Sequence, residues 1–297
     1  MHINKWGTCC NLNDKIYSSM RILLTNDDGY TAKGIKVLAR IMQSFGDVEV
    51  IAPKRHQSGM GLAVNIGLKP LAYRHLGRID GAGWAYLDGT PASCAKYGIN
   101  FMVPGPDLLV SGINHGSNAS AGALYSGTLG ACQEAVINGI PAIGISLDDI
   151  HTDADFSAVE ELLPGILERI LRAMPGNPGS FYNINFPAIP AGQIKGVRVT
   201  HMGRGRWIKE FTQWDPDIYR RYGITPESLG RDTDIHLEDG EQLYMMVGEY
   251  LDSPENTEGA DHHVMHDGYV TVTCLNIDTT DLKENQRLRS LGIDMDF

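Results

Sequence analysis

The chain has 297 residues, of which 42% are hydrophobic and 21% charged, a balance that is ordinary for a soluble globular protein. Its formal net charge of −11 argues against a general grip on nucleic-acid polymers, because such binding needs a basic surface. The length allows one large domain or two moderate ones, and a core of that size needs neither disulfides nor a structural metal.

The N-terminal region and the cysteines point to the compartment. Residues 1–19 show no periodicity, so we expect a poorly ordered N-terminal extension. The five scattered cysteines do not form a disulfide framework. There is no run of about 18 apolar residues and no apolar segment typical of a signal peptide. The sequence therefore predicts a cytoplasmic protein without membrane association.

From Arg21 onward, short apolar runs alternate with segments of helical periodicity. Helices are predicted around Ile35–Met42, from Pro91 to about Phe101, from near Gly127, and over 155–173, where Pro164 should kink or divide the helix. Strands are predicted at Arg21–Thr25, Val48–Ala52, around Leu62–Ala72, Trp84–Leu87, Asp107–Ser111, Pro141–Leu147, Phe181–Phe186, Gly196–Gly203 and Tyr269–Leu275.

This alternation predicts a three-layer α/β fold with a mostly parallel sheet over residues 20–195. The character of the sequence changes after about residue 195. We expect residues 196–297 to form a smaller β-rich part with extended hairpins or long loops in 204–267 and a helix at the C-terminus.

Polar residues and glycines follow three of the predicted strands. They are the turn Asn26–Gly29, the loop Lys54–Gly61 and the loop Ser111–Asn118. Ligands of parallel sheets bind beyond the carboxyl ends of the strands, so these three tips are expected to converge.

The adjacent carboxylates Asp27 and Asp28 indicate a hard cation, Mg²⁺ or Mn²⁺, which would relieve their mutual repulsion. Side-chain oxygens of Ser58 and Asn114 could complete the protein ligands. An Asp-Gly turn that only caps the next helix explains the same residues equally well.

Ser126, Gly127 and Thr128 stand at the predicted start of a helix, where N–H and hydroxyl donors suit a phosphate oxygen. A simple Ser/Thr cap of that helix is the alternative, and on spacing alone it is favoured.

Two further groups of residues have functional interpretations. The residues Asp261, His262 and His263, with His266 and Asp267, resemble a metal cluster, although the neighbouring glycines and acidic residues favour a loop. The residues Arg204, Arg206 and Trp207 could face a phosphate or a base, although a solvated loop is the favoured interpretation.

Taken together, these motifs resemble the SurE family of survival-protein nucleotidases. The resemblance covers about 20–280, and no single motif carries it. It rests on an ordered set, namely Arg21–Gly29, Ala52-Pro53, Ser58-Gly59, Gly89–Pro91, Ser111–Asn118, Tyr125–Thr128, Asn183–Pro187 and Gly268–Thr273.

The resemblance implies one Mg²⁺ or Mn²⁺ per subunit, held by Asp27, Asp28, Ser58 and Asn114. It implies phosphate contacts at Asn26, Ser126, Gly127 and Thr128. It also implies a Rossmann-like core, followed by a β-rich part that exchanges elements between the subunits of a homodimer or homotetramer. The chain departs from the family pattern at Ser93, at His201 and through most of 204–267, which puts substrate preference and oligomer contacts in doubt.

The expected activity is metal-dependent hydrolysis of nucleoside 5′- and 3′-monophosphates, with short polyphosphate as a further substrate. Asp27 or Asp28 would be the base that activates water. Two alternatives stay open, a phosphatase with a covalent aspartyl nucleophile and a nucleotide-binding regulatory protein without turnover.

Overall fold

The structure is a computed structural model that describes residues 20–67, 69–174, 176–215, 217 and 237–295. The extension expected at 1–19 lies outside the described residues. Within the described part the strands are β1 Met20–Thr25, β2 Gly46–Pro53, β3 Tyr73–Ile79, β4 Ala82–Leu87, β5 Leu108–His115, β6 Ala142–Leu147, β7 Ser180–Phe186, β8 Val197–Thr200, β9 Gly205–Ile208, β10 Phe211–Gln213, β11 Tyr244–Met246, β12 Glu249–Asp252 and β13 Val270–Asn276.

The helices of the described part lie between the strands and after the last strand. They are α1 Lys33–Met42, α2 Pro91–Tyr97, α3 Gly122–Tyr125, α4 Gly127–Ile137, α5 Ser157–Ala173, α6 Asp261–His266 and α7 Leu282–Ser290. A π-helical turn, Gly98–Met102, continues α2, and a 3₁₀ turn covers Ala191–Gln193.

The central sheet has the strand order β3-β4-β2-β1-β5-β6-β7-β13-β8. Six neighbouring strands, from β4 to β7, are mutually parallel, and β3 joins one edge antiparallel. At the other side β13 pairs antiparallel with β7 and parallel with β8. The prediction of a mostly parallel sheet is confirmed. The two strands predicted beyond residue 195, now β8 and β13, extend this same sheet. The boundary at residue 195 between the core and the β-rich part stays a prediction.

Alternation along the buried strands fills two cores, one on each face of the sheet. In β1, Ile22 and Leu24 belong to the core that packs under α1 and α5, whereas Leu23 belongs to the core under α2 and α4. Successive strand residues point to opposite faces, so a strand covered on both sides reads as a continuous apolar run. The three-layer arrangement predicted from the sequence is confirmed.

The strand predicted around Leu62–Ala72 was wrong. This stretch has no strand among its described residues, and the edge strand β3 begins only at Tyr73. Gly67 has a positive φ of 67°, and Pro70 has no backbone N–H for a strand ladder. Apolar residues alone therefore suggested a strand that the backbone does not form.

Pro164 does not divide its helix, because α5 runs unbroken from Ser157 to Ala173. Leu163 and Leu167 are fully buried on the inner face of this helix. Burying two leucines stabilises by about 3–6 kcal/mol, which offsets the roughly 3 kcal/mol that a proline inside a helix costs.

The C-terminal part carries two small antiparallel sheets beside the main one, β10 with β11 and β9 with β12. They confirm the expected hairpin-rich region, and α7 confirms the expected C-terminal helix. Among the described residues, no helix combines the length and the apolar character needed to cross a membrane.

Candidate active site

The turn after β1 is closed by the side chain of Asn26. Its Nδ2 donates to the carbonyl of Gly29 at 3.0 Å, and its Oδ1 accepts from the Gly29 N–H at 3.2 Å. Gly29 has a φ of 100°, a conformation that favours glycine over any residue with a Cβ. The Asn26 amide, predicted to contact phosphate, therefore shapes the turn that presents Asp27 and Asp28.

Asp27 is buried where three segments meet. Its Oδ1 accepts a hydrogen bond from the hydroxyl of Thr128 at 2.7 Å, and its carbonyl accepts from the N–H of Gln57 at 2.7 Å. The start of α4 lies so close that a Cβ on Gly127 would stand 3.0 Å from the Cβ of Asp27. The first strand tip, the second loop and the N-terminus of α4 thus converge on one carboxylate.

The environment of Asp27 disfavours its charged form. Burial, and after it the negative charge of Asp28, raises the pKa of Asp27 to about 7, although the hydrogen bond from Thr128 opposes the rise. An acid with this pKa in a pocket of polar residues is a typical candidate for proton transfer or for cation binding.

Asp28 is held by different groups. Its Oδ2 accepts from the backbone N–H of His115 at 3.2 Å and lies 3.0 Å from the Nδ1 of that imidazole. The other oxygen, Oδ1, lies 3.5 Å from the Nδ1 of His56. The ring of His115 packs edge-on against the ring of Phe156, with centroids 5.2 Å apart. This contact helps to fix the position of the imidazole.

His56 and His115 were not predicted as site residues, although they lie in the loops Lys54–Gly61 and Ser111–Asn118. The available signal was their position, since each follows one of the three strand tips. No spacing rule relates them to Asp28, because the contacts are made across the sheet rather than along the chain.

Asn114 reaches the site because β5 is longer than its neighbour. Thr25, the last residue of β1, pairs with Ser111, and β5 then continues past the end of β1 as far as His115. Asn114 is buried there, and its Nδ2 donates to the carbonyl of Gly116 at 2.7 Å. This orientation leaves Oδ1 as the atom that can bind a cation.

Ser58 is the least engaged of the four predicted metal ligands. It is exposed and follows Gln57, the residue whose N–H binds the Asp27 carbonyl. The structure brings Asp27, Asp28 and Asn114 to one edge of the sheet and places Ser58 on the loop beside them. Its part in binding a metal stays a prediction.

The two predicted hydroxyl contacts to phosphate have separate roles. Ser126 accepts from the N–H of Leu129 at 3.1 Å, so it is the N-cap that was the alternative interpretation. Thr128 instead donates to Asp27. The first N–H groups of a helix have no acceptor within it, and α4 presents these donors beside Asp27.

The histidine cluster predicted at 261–267 is rearranged. These residues form the helix α6 rather than the favoured loop, and His266 lies 4.0 Å from Asp148 instead of joining His262 and His263. Both of those imidazoles turn to Asp252 at the end of β12. Their hydrogen bonds lower the pKa of Asp252 to about 2, which keeps this carboxylate negatively charged.

The arginine and tryptophan predicted for a mobile loop belong to strand β9, where Arg206 pairs with Leu251 and Trp207 packs edge-on against Tyr250. Arg204, just before this strand, forms an exposed ion pair with Glu255 at 3.0 Å. Its guanidinium is therefore engaged away from the carboxylate pair.

Comparison with known proteins gives consistent matches. The family model described as survival protein SurE matches residues 22–209. The 5′-nucleotidase SurE of Syntrophobacter fumaroxidans is 41% identical over 217 residues, which are 72% of this chain and 86% of the relative. The 5′/3′-nucleotidase SurE of Proteus mirabilis is 34% identical over 91% of this chain and 95% of its own length. The crystal structure of the SurE protein from Aquifex aeolicus superposes with a TM-score of 0.69 at 30% identity, covering 91% of this chain and 99% of that one.

Proposed function

This chain belongs to the SurE family, and on that premise we propose that it is a 5′-nucleotidase that depends on a divalent metal and hydrolyses nucleoside monophosphates. Its curated relatives carry the name 5′-nucleotidase or 5′/3′-nucleotidase. The observation that carries the proposal is the buried Asp27 beside Asp28, facing the N-terminus of α4 at the carboxyl edge of the sheet.

The residues at this edge fit a hard cation such as Mg²⁺ or Mn²⁺. Asp27, Asp28, Asn114 and Ser58 offer only oxygen atoms, which these ions prefer. Burial and the charge of Asp28 raise the pKa of Asp27, because the protein does not neutralise the charge of this carboxylate. A bound cation would neutralise that charge and favour the ionised form. When bound, the cation would supply positive charge to offset the charge of the phosphoryl group.

The protein groups would supply orientation and proton transfer. Backbone N–H donors at the start of α4 would hold phosphoryl oxygens, since positioning dominates phosphoryl transfer, while the Thr128 hydroxyl stays bonded to Asp27. His115 would keep the Asp28 carboxylate in one orientation through its two contacts. Asp27 or Asp28 would be the base that accepts a proton from water.

We propose in addition that the protein works as a homodimer or homotetramer. Exposed apolar residues on the two strands of the β10–β11 sheet support this, namely Phe211, Tyr244 and Met246. A cytoplasmic location is proposed because Cys94, Cys132 and Cys274 are free thiols, as expected in a reducing compartment.

The test is phosphate release from 5′- and 3′-monophosphates of each base, and from short polyphosphate, with Mg²⁺, with Mn²⁺ and with EDTA. We expect release that requires the metal. Asp28→Asn should reduce it by at least about 100-fold while the fold is retained, because it removes one charged oxygen from the cation site. Asp153→Asn, an exposed aspartate on another loop, is the matched control.

Three outcomes would count against the proposal. Nucleotide binding without phosphate release in any metal would favour a regulatory protein. A phosphoaspartate captured by rapid acid quench would favour the covalent route. Wild-type activity in the Asp28→Asn variant would remove Asp28 from the site.

A further inference from the structure

Three side chains from the end of β12 and from α6 converge, and none of them belongs to the predicted cation site. The Nε2 of His262 lies 2.9 Å from Oδ1 of Asp252, and the Nε2 of His263 lies 2.6 Å from Oδ2 of the same carboxylate. One ligand atom from each residue falls within 4.8 Å of the other two. We call Asp252, His262 and His263 the β12–α6 triad.

The convergence of the two histidines is not a consequence of helix geometry. Neighbouring residues on a helix project about 100° apart, yet the rings of His262 and His263 have centroids only 4.1 Å apart. Both rings are turned toward the end of β12. A specific arrangement of side chains therefore places two imidazole nitrogens against one carboxylate.

The inner histidine has a feature that hydrogen bonding alone does not explain. His262 is more than nine-tenths buried, and its Nδ1 has no hydrogen-bond partner among the described residues. That nitrogen lies 3.5 Å from a carboxylate oxygen of Asp261, and Asp261 is itself fully buried. A histidine that binds a metal through Nε2 commonly presents its other nitrogen to such a carboxylate, which fixes the ring.

The groups behind the triad are held firmly. The Asp261 carboxylate accepts the backbone N–H groups of Ser120, Gly203 and His262 at 2.9–3.1 Å. A Cβ on Gly203 would collide with the ring of His262, so the close approach of this backbone needs glycine. The position of the inner imidazole is thus determined by packing before any ligand binds.

We propose that the β12–α6 triad binds a divalent transition-metal ion, with Zn²⁺ as the first choice, at a site separate from Asp27 and Asp28. Two imidazole nitrogens and one carboxylate oxygen form a donor set that suits zinc, nickel or copper rather than magnesium. Asp252 and His263 are each more than 40% exposed, so an ion can enter from solvent and keep water as a further ligand.

The bound ion would join two parts of the fold. Asp252 ends β12, whose partner β9 is the other strand of the hairpin sheet, and both histidines belong to α6. Asp261, at the start of that helix, is bonded to Ser120 in the loop after β5. The ion would therefore clamp the β9–β12 sheet to the helix that contacts the loop following Asn114.

The experiment is titration of the metal-free, full-length protein with ZnCl₂ by calorimetry, in millimolar Mg²⁺ so that the oxygen-only site is saturated. We expect one zinc per chain. His263→Ala is the test variant, because this residue is exposed and its loss should leave the fold intact. Removing one of three ligands should weaken zinc binding by about 100-fold or more. Losing a residue that only hydrogen-bonds to a ligand typically weakens metal binding by about 10- to 100-fold. Asp252→Asn should weaken it in the same direction.

His266→Ala is the matched control, since it removes an imidazole from the same helix outside the triad. Zinc should raise the Tm of the wild type and of this control but not of the His263→Ala variant. X-ray absorption at the zinc edge should show nitrogen and oxygen ligands with imidazole scattering. Sulfur ligands, undiminished binding in the His263→Ala variant, or no zinc bound by the wild type would each overturn the proposal. None of these readouts depends on nucleotidase activity.

Discussion

Replacing Thr128 by valine tests whether the proton on Asp27 controls metal binding. The two side chains have nearly the same shape, but valine cannot donate the 2.7 Å hydrogen bond to Oδ1 of Asp27. A hydrogen bond to a charged group contributes about 1.5–3 kcal/mol, and one pKa unit corresponds to about 1.4 kcal/mol. The substitution should therefore raise the pKa of Asp27 by roughly one to two units above its value of about 7.

The consequence can be worked out for pH 7. About half of the wild-type Asp27 is ionised at this pH, whereas roughly 10% to 1% would be ionised in the Thr128→Val variant. Since a cation competes with the proton, the apparent affinity for Mn²⁺ should fall roughly 5- to 50-fold at pH 7. The difference should shrink as the pH rises toward 9.5.

The assay is Mn²⁺ binding without nucleotide, by calorimetry or by the electron paramagnetic resonance of free Mn²⁺, from pH 5.5 to 9.5. Omitting the substrate separates this effect from any contact between Thr128 and phosphate. Thr128→Ser keeps the hydroxyl and should bind Mn²⁺ as the wild type does. Equal pH profiles for Thr128→Val and the wild type would refute the reasoning, because they would show that the proton on Asp27 does not compete with the metal.

Three further expectations rest on the same geometry. His115→Gln should lower Mn²⁺ affinity by about 10- to 100-fold with little change in Tm, because the imidazole only orients Asp28. An unchanged Mn²⁺ titration would show that His115 does not orient this carboxylate for metal binding. The pKa of Asp27 is about 7 in the folded protein, above its ordinary value of 3.8, so between these pH values the folded protein binds one proton more than the unfolded chain. The free energy of unfolding without metal should therefore fall as the pH rises from about 4 to about 7. The Tm of Asp27→Asn minus that of wild type, in EDTA, should therefore be larger at pH 8 than at pH 5.5; a constant difference would contradict the raised pKa. Gly127→Ala should impair phosphate release, because its Cβ would stand 3.1 Å from Oδ2 of Asp27, whereas Gly165→Ala, where a Cβ meets nothing within 4 Å, should keep activity and gain up to about 1 kcal/mol of stability. Equal activity in these two glycine variants would mean that the start of α4 yields to the added methyl group.

The central sheet could be predicted because its strands are covered on both faces. Runs such as Ile22–Leu24 or Leu108–Val110 have no polar residue to interrupt them, and such a short apolar run between helical segments is typical of a buried parallel strand. The edge strand β3 escaped prediction for the opposite reason. Most of its side chains are exposed, so neither periodicity nor apolar content distinguishes it from a loop.

Long-range partners set the limit for the site. Asp27, Asp28 and Asn114 could be named from the sequence because each follows a strand, and strand ends of a parallel sheet meet at one edge. The partner of each carboxylate could not be named. His115 is 87 residues from Asp28 along the chain, and Thr128 is 101 residues from Asp27. Which side chain occupies the space beside a carboxylate depends on strand overhang and helix placement, and neither has a local sequence signal.

These partners make the two adjacent aspartates chemically different, although a sequence motif presents them as a pair. Asp27 faces a hydroxyl and the start of a helix and has its pKa raised to about 7, whereas Asp28 lies between two imidazole rings. About half of Asp27 therefore carries a proton near pH 7 in the metal-free protein, whereas the Asp28 carboxylate is held in place by the backbone N–H and the imidazole of His115. Substituting Asp27 should shift the pH dependence of metal binding, and substituting Asp28 should lower the affinity at every pH. If the two asparagine variants shifted the profile identically, the carboxylates would titrate as one coupled unit, and the separate roles drawn from their contacts would have to be abandoned.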